Sequence, residues 1–376
     1  MAITEPEVSD PAAARAGALL TIDLAAIAAN YRRLCQELGA VASAAVVKAD
    51  AYGLGVDRVA PALAAAGARS FFVAQLNEAI DLRAILGAEP RIFVLNGLTL
   101  GADRDYLGHD LIPVLNSLAE VEAWRGLCHS EARKLAAALH VDTGMNRLGL
   151  PADELERLAE EPARLEGLDL VLVMSHLACA EEPGHPLNER QLARFRAART
   201  RLPRAPASLA NSSGIFLGPD HHFDLARPGV ALYGVNPTPG LANPMSQVVR
   251  LHGKILQIRD VDAPQSVGYG ATYPLAGPTR LATVAVGYAD GYLRALSDHG
   301  SAFIEGQKVA VVGRVSMDLI TLDISAVPRE ATRPGTLVDL LGPDHDLDAL
   351  ARQAGTIGYE LLTSLGRRYH RVYKGA

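Results

Sequence analysis

Between residues 44 and 227, eight short apolar runs alternate with stretches of helical periodicity, and few architectures accept that pattern. The runs are 44–48 (AAVVK), 71–75, 91–96, 111–115, 135–141, 169–175, 207–211 and 223–227. Helical stretches lie at 57–66, 77–86, 117–129, 151–160 and 188–201, with Asp57, Asn77, Ser117 and Asn188 as expected caps. An amphipathic helix precedes them, because Leu24, Ile27, Tyr31, Leu34 and Leu38 recur at steps of three and four. Near-continuous apolar strands separated by helices predict a parallel sheet covered on both faces. Eight such units in roughly 200 residues suit a closed (β/α)8 barrel, the α/β class of TIM type. An open doubly wound sheet is the alternative, weakened by the lack of a GxGxxG turn after the first run.

Beyond residue 240 the texture changes to short Val-, Ile-, Leu- and Thr-rich segments bounded by Gly, Pro and Asp. We expect a mainly β domain there, with a hairpin turn at 305–307 and helices only at 347–354 and 357–365. The domain division is 1–16 as a disordered tail, 17–240 as the barrel and 241–376 as the β domain, joined through 236–244 (NPTPGLANP). Two domains fit a chain of 376 residues, since single cores stop growing near ~250–300.

Formal charge is −6, so no basic surplus favours nucleic acid or an anionic membrane. The three cysteines, Cys35, Cys128 and Cys179, have no CxxC spacing and fit a reducing compartment. No apolar run is long enough to span a bilayer, and the opening residues lack a signal-peptide core. These features predict a cytoplasmic protein.

Polar residues of catalytic type fall at the ends of the expected strands: Lys48 after the first, His176 after the sixth, Asn211 after the seventh and Arg227 after the eighth. In a (β/α)8 barrel that rim carries the active site. A lysine closing an apolar run is partly desolvated, which favours the neutral amine needed for Schiff-base chemistry. By position alone, a strand-end lysine reaching into water would be the commoner case.

The surrounding residues decide between these readings. AVVKADAYGLG around Lys48 resembles the signature of the alanine racemase family. HVDTGMNRLG, MSHL, ANSSG, DLARPGVALYG, VGYGATY, VGYADGY, GRVSMD and TIGYE follow in the family's order, from Lys48 to Tyr359. The resemblance implies a pyridoxal-phosphate enzyme that interconverts L- and D-alanine and supplies D-alanine for the bacterial cell wall. It implies that Lys48 holds the cofactor as a Schiff base, and that Tyr52, Ser212, the backbone N–H groups of Gly229 and Val230, and Tyr359 hold its phosphate. It further implies that Arg227 faces the pyridine nitrogen, Asn211 lies beside the ring, and His176 links Arg227 to a catalytic tyrosine. Racemisation needs acid–base groups on both faces of Cα; the resemblance implies Lys48 for one and Tyr269 for the other. It implies a head-to-tail homodimer in which Tyr269, Met317 and Asp318 serve the partner's site. Arg147 and the Met317–Asp318 pair would contact substrate, and Tyr288 would line its approach.

One position departs. Many family members carry a carbamate-modified lysine two residues before DTGM; here that residue is His140. A bound anion such as chloride or another side chain would have to orient Arg147. Asp142-Thr143-Gly144 matches an aspartic-protease triplet, but no second copy exists. His185, His221 and His222 read as loop and surface histidines, with no metal expected, Cys179 as loop filler, and Glu181-Glu182 as a solvated face. A racemase of broader range, acting on serine, lysine or arginine, is the alternative. A decarboxylase on the same plan would place glutamate where Arg227 stands. A non-enzymatic cofactor-binding barrel would lack the second domain.

Overall fold

All eight apolar runs are strands, at Ala45–Val46, Ser70–Val73, Arg91–Val94, Ile112–Leu115, Leu135–His140, Leu168–Met174, Ala207–Ser208 and Leu225–Ala226. They belong to a computed structural model that describes residues 11–99 and 101–375. The first seven form one parallel sheet in sequence order. The eighth pairs in parallel with Ala42–Ser43, just ahead of the first. Two backbone bonds complete the ring: Arg227 N–H donates to Ala210 O at 2.9 Å, and Ala44 N–H to Ala226 O at 2.9 Å. The sheet is therefore a closed (β/α)8 barrel. Phe72 and Phe93 stack at 4.5 Å on adjacent strands, in the close packing such an interior requires.

The helix Leu24–Leu38 buries the expected stripe of Leu24, Ile27, Tyr31, Leu34 and Leu38, and Asp23 caps it by accepting from Ala26 N–H at 2.8 Å. Ser117 caps its helix as expected. Asp57, Asn77 and Asn188 do not cap. Their helices start at Val56, Leu76 and Pro186, after Gly55, Gln75 and His185. Glu78 Oε2 accepts from Gln75 N–H at 3.0 Å, and Pro186 supplies a ready first-turn φ, so these two starts fall upstream. Asn188 is buried instead and donates to Glu182 O at 3.0 Å.

The second domain is a six-stranded antiparallel ring of Val249–Val261, Thr279–Val284, Ile320–Asp323, Gln307–Val311, Ser301–Ile304 and Leu337–Leu341. Register shifts within Val249–Val261 bend that long strand, so its two halves take different partners. The expected hairpin is a two-residue turn, with Glu305 at φ 47° and Gly306 at φ 77°. Helices Leu347–Ala354 and Gly358–Ser364 stand where expected.

Ala18–Asp23, counted above with the barrel, is a strand of this second sheet. It lies antiparallel to Val249–Val261 and parallel to His370–Lys374. Five of its six residues are buried, which a strand covered on both faces requires. The expected disordered tail is corrected over Pro11–Arg15, which is helical; Lys254 Nζ donates to Ala13 O at 2.6 Å and Ala14 O at 2.8 Å. Its first ten residues lie outside the described residues.

Candidate active site

Past the first strand the chain enters a turn that no periodicity announces. Ala49, Asp50, Ala51 and Tyr52 hold φ between 53° and 55°, four consecutive left-handed residues and none of them glycine. Each costs about 1–2 kcal/mol in isolation. Local bonds offset this: Ala51 N–H donates to Val47 O at 2.9 Å, Gly55 N–H to Asp50 O at 3.0 Å, and Val56 N–H to Asp50 Oδ1 at 2.7 Å. At Gly53 (φ 80°) a Cβ would lie 2.4 Å from Leu362 O, so the C-terminal helix packs directly on the turn.

Lys48 leads into this turn and lines a cavity of about 540 Å³ at the C-terminal rim of the barrel. Burial lowers its pKa, the nearby Arg147 guanidinium lowers it further, and the Glu78 carboxylate opposes both. Arg227, also on the cavity wall, is buried. It donates to Ser208 Oγ, to Ser175 O at 2.6 Å and to His176 Nδ1 at 3.4 Å. Burial lowers its pKa to about 9, which leaves it cationic at neutral pH. A guanidinium only donates, so His176 Nδ1 must accept and the ring proton sits on Nε2. Burial, then Arg227, push the His176 pKa well down, so the imidazole is neutral.

Ser212 Oγ accepts from Gly229 N–H at 2.9 Å and from Ala231 N–H at 3.3 Å. A Cβ at Gly229 would lie 2.3 Å from Tyr52 Oη, so only glycine lets these loops converge. The Tyr52 ring packs on Tyr233 at 4.6 Å and lies 6.2 Å from Tyr359. Asn211 and Val230 line the same cavity. Tyr359 and Ile357 reach it from the C-terminal segment, and Tyr359 Oη donates to Glu181 Oε1 at 3.4 Å. Glu181, read from sequence as a solvated face, thus stands at the mouth; its type and spacing gave no sign of this.

The DTG triplet has a structural task. Asp142 Oδ1 accepts from Gly144 and Met145 N–H, each at 2.9 Å, and Oδ2 from Asn146 N–H at 3.0 Å. One carboxylate thus folds the loop that carries Arg147 to the cavity wall. Gln191, fully buried and unmarked by any motif, ties that loop to the next; its Nε2 donates to Thr143 Oγ1 at 3.1 Å and to His176 O at 2.8 Å. His221 and His222 are buried rather than on the surface, and His222 Nε2 lies 2.7 Å from Ile215 O.

His140 is buried, with Nδ1 2.8 Å from Asn116 Oδ1. Asn116 Nδ2 already donates to Val114 O at 2.8 Å and Leu95 O at 3.2 Å, so its oxygen must accept and His140 carries its proton on Nδ1. Nε2 keeps a lone pair. Burial, then Arg227, lower the His140 pKa from 6.5 to about 4, so no negative charge replaces the carbamate. A histidine held neutral stabilises the fold fully above pH 6.5 and loses that stability as pH falls through 4. Between pH 7 and 5 the loss is roughly 2 kcal/mol. Urea unfolding at both pH values should show His140→Asn less acid-sensitive than wild type by about that amount.

Four expected residues do not line this cavity: Tyr269, Tyr288, Met317 and Asp318. They converge elsewhere, on one face of the second domain. Tyr288 N–H donates to Ser316 O at 3.0 Å and Ala289 N–H to Met317 O at 3.0 Å, while Gly268 and Gly270 pack against Arg314. Asp318 is bound by Arg368 at 2.7 Å, which also grips Asp290. Tyr269 is 73% exposed, Met317 53% and Tyr288 43%.

The sequence matches the family models for the alanine racemase N-terminal domain over residues 22–237 and for the C-terminal domain over residues 248–373. The chain belongs to the alanine racemase family. It is 56% identical over 362 residues to the alanine racemase of Rhodospirillum rubrum, covering 96% of this chain and 97% of that one. It is 48% identical to that of Brucella abortus, covering 95% and 94%. Its structure resembles the crystal structure of alanine racemase from Bartonella henselae with covalently bound pyridoxal phosphate, with TM-score 0.93, 43% identity, and 95% and 99% of the two chains covered. The biosynthetic alanine racemase of Pseudomonas aeruginosa matches with TM-score 0.89 at 35% identity, over 96% and 100%. Both halves of the family fold are thus present, and the Lys48 cavity draws on both. Among the described residues no helix is long and apolar enough to cross a membrane.

Proposed function

We propose that this protein interconverts L- and D-alanine with pyridoxal phosphate, moving a proton across Cα between Lys48 and the Tyr269 of a partner subunit. The observation that carries the reading is the pairing, in one cavity, of a desolvated Lys48 with a buried Arg227. The residues fit the cofactor chemically. Lys48 offers an amine with lowered pKa. Ser212, Tyr52 and the Val230 N–H offer donors for a phosphate, and Gly229 N–H and Tyr359 Oη would turn to it from Ser212 Oγ and Glu181, in a cradle that a Cβ at Gly229 would fill. Bound there, the cofactor supplies the electron sink that makes a Cα proton removable. Arg227 would donate to the ring nitrogen and cannot protonate it as a carboxylic acid would, which favours return of the proton to Cα and disfavours a decarboxylase. Asn211 would flank the ring.

Arg147 would hold the substrate carboxylate, placed by the Asp142 loop. Lys48, which would hold the cofactor, takes or returns the proton on one face. Tyr269 acts on the other, and His176, neutral, would offer its Nε2–H to that tyrosine and not a second charge. Tyr269, Tyr288, Met317 and Asp318 stand away from their own chain's cavity on an exposed face, which supports a head-to-tail homodimer in which they complete the partner's site. Lys48→Ala should lose both the visible absorbance of the purified protein and D/L-alanine conversion. A coloured, racemising Lys48→Ala protein would sink the proposal.

A further inference from the structure

The left-handed turn after Lys48 contains a backbone donor that its own segment does not satisfy. Ala49 N–H, one residue past Lys48, donates instead to Glu78 Oε1 at 2.6 Å, across to the helix that follows the second strand. The other carboxylate oxygen accepts from Ala74 N–H at 2.8 Å and Gln75 N–H at 3.0 Å, in the loop after that strand. One carboxylate therefore binds three N–H groups from two different barrel loops. We propose that Glu78 is a positioning residue for Lys48, a clamp that holds the strained turn against the neighbouring loop so that the lysine faces the cavity.

The chemistry selects a carboxylate. All three partners are donors, and charge-assisted bonds to backbone N–H are the stronger kind. Glutamine would place an NH₂ group against an N–H and lose one side of the clamp. Aspartate, one methylene shorter, can still serve the first turn of its own helix but falls short of Ala49. The same carboxylate also supports the protonated form of Lys48, against burial and Arg147. Loss of the charge therefore lowers the lysine pKa, whereas shortening the side chain keeps most of that effect.

The proposal rests on the reading of Lys48 as the cofactor-bearing lysine, and the visible absorbance of the wild-type holoenzyme tests that reading separately. The experiment compares the holoenzymes of wild type, Glu78→Gln and Glu78→Asp. Hydrogen exchange across 47–55 should speed about 10-fold or more in both variants, as a lost local clamp requires. In Glu78→Asp the helix Leu76–Leu86 should stay protected. The kcat for alanine should fall about 10–100-fold in both, the size expected for a misplaced catalytic group. The acid limb of kcat, in the direction in which Lys48 accepts the proton, should move to lower pH in Glu78→Gln and stay in place in Glu78→Asp. If Glu78→Gln does not fold, the exchange and kcat of Glu78→Asp alone decide. Wild-type kcat and wild-type protection of 47–55 in Glu78→Asp would overturn the proposal, as would equal deprotection of the turn and of Leu76–Leu86, since either leaves Glu78 a helix cap only.

Discussion

Mixing inactive Lys48→Ala with inactive Tyr269→Phe protein should restore alanine racemisation. Each parent lacks one of the two acid–base groups, and general acid–base loss lowers a rate about 10²–10⁴-fold. In a head-to-tail dimer the mixed species has one site with both lesions and one with neither. Random re-association makes half of all dimers mixed, so about a quarter of wild-type activity should return. The motivating observation is spatial: Tyr269 is 73% exposed and does not line the Lys48 cavity of its own chain. If the site lay within one chain, every mixed site would keep a lesion and activity would stay lost. Subunit exchange must be shown independently, by mass spectrometry of isotopically labelled dimers. Absence of complementation with exchange proven would place Tyr269 in its own chain's site or outside catalysis. Tyr269→Phe alone should also slow Cα isotope exchange from one enantiomer far more than from the other, because Lys48 still serves its own face.

Arg227→Glu carries the second large effect, on activity and stability together. The guanidinium donates to Ser208 Oγ, Ser175 O and His176 Nδ1, joining the ends of strands six, seven and eight. A glutamate offers no donor to Ser175 O unless it protonates, and it places a buried acid where a cation stood. Breaking a buried charged arrangement of this kind costs about 3–5 kcal/mol. Racemisation should fall at least about 10²-fold, the scale seen when a placed electrostatic group is removed. Proton return to positions other than Cα should rise, detectable as pyruvate formed during long incubations with alanine. Unchanged stability, rate and by-product would show that Arg227 neither braces the rim nor governs the ring nitrogen.

The barrel was legible because burial on both faces leaves a continuous apolar run, a signal that survives without tertiary information. All eight runs became strands, and Lys48, His176, Asn211 and Arg227 came to the rim because parallel strands share a C-terminal end. The left-handed turn was not legible: of Ala49, Asp50, Ala51 and Tyr52 only Asp50 is of a type that favours positive φ, and the bonds to Val47, Gly55, Val56 and Glu78 with the packing of Leu362 hold them there. Ala18–Asp23 reads as apolar but not as belonging to the distant sheet, since nothing local names its partners at Val249–Val261 and His370–Lys374. Glu181 and Gln191 read as ordinary polar residues; their neighbours across the rim set their positions. Residue identity thus determined the barrel and the chemical types at its rim. Tertiary structure decided the tautomers of His140 and His176, because a hydrogen bond to Asn116 or Arg227 chooses which nitrogen keeps its proton. It also decided that Tyr269 stands apart from Lys48, since the distance between two domains is set by how their surfaces pack and not by any pattern along the chain.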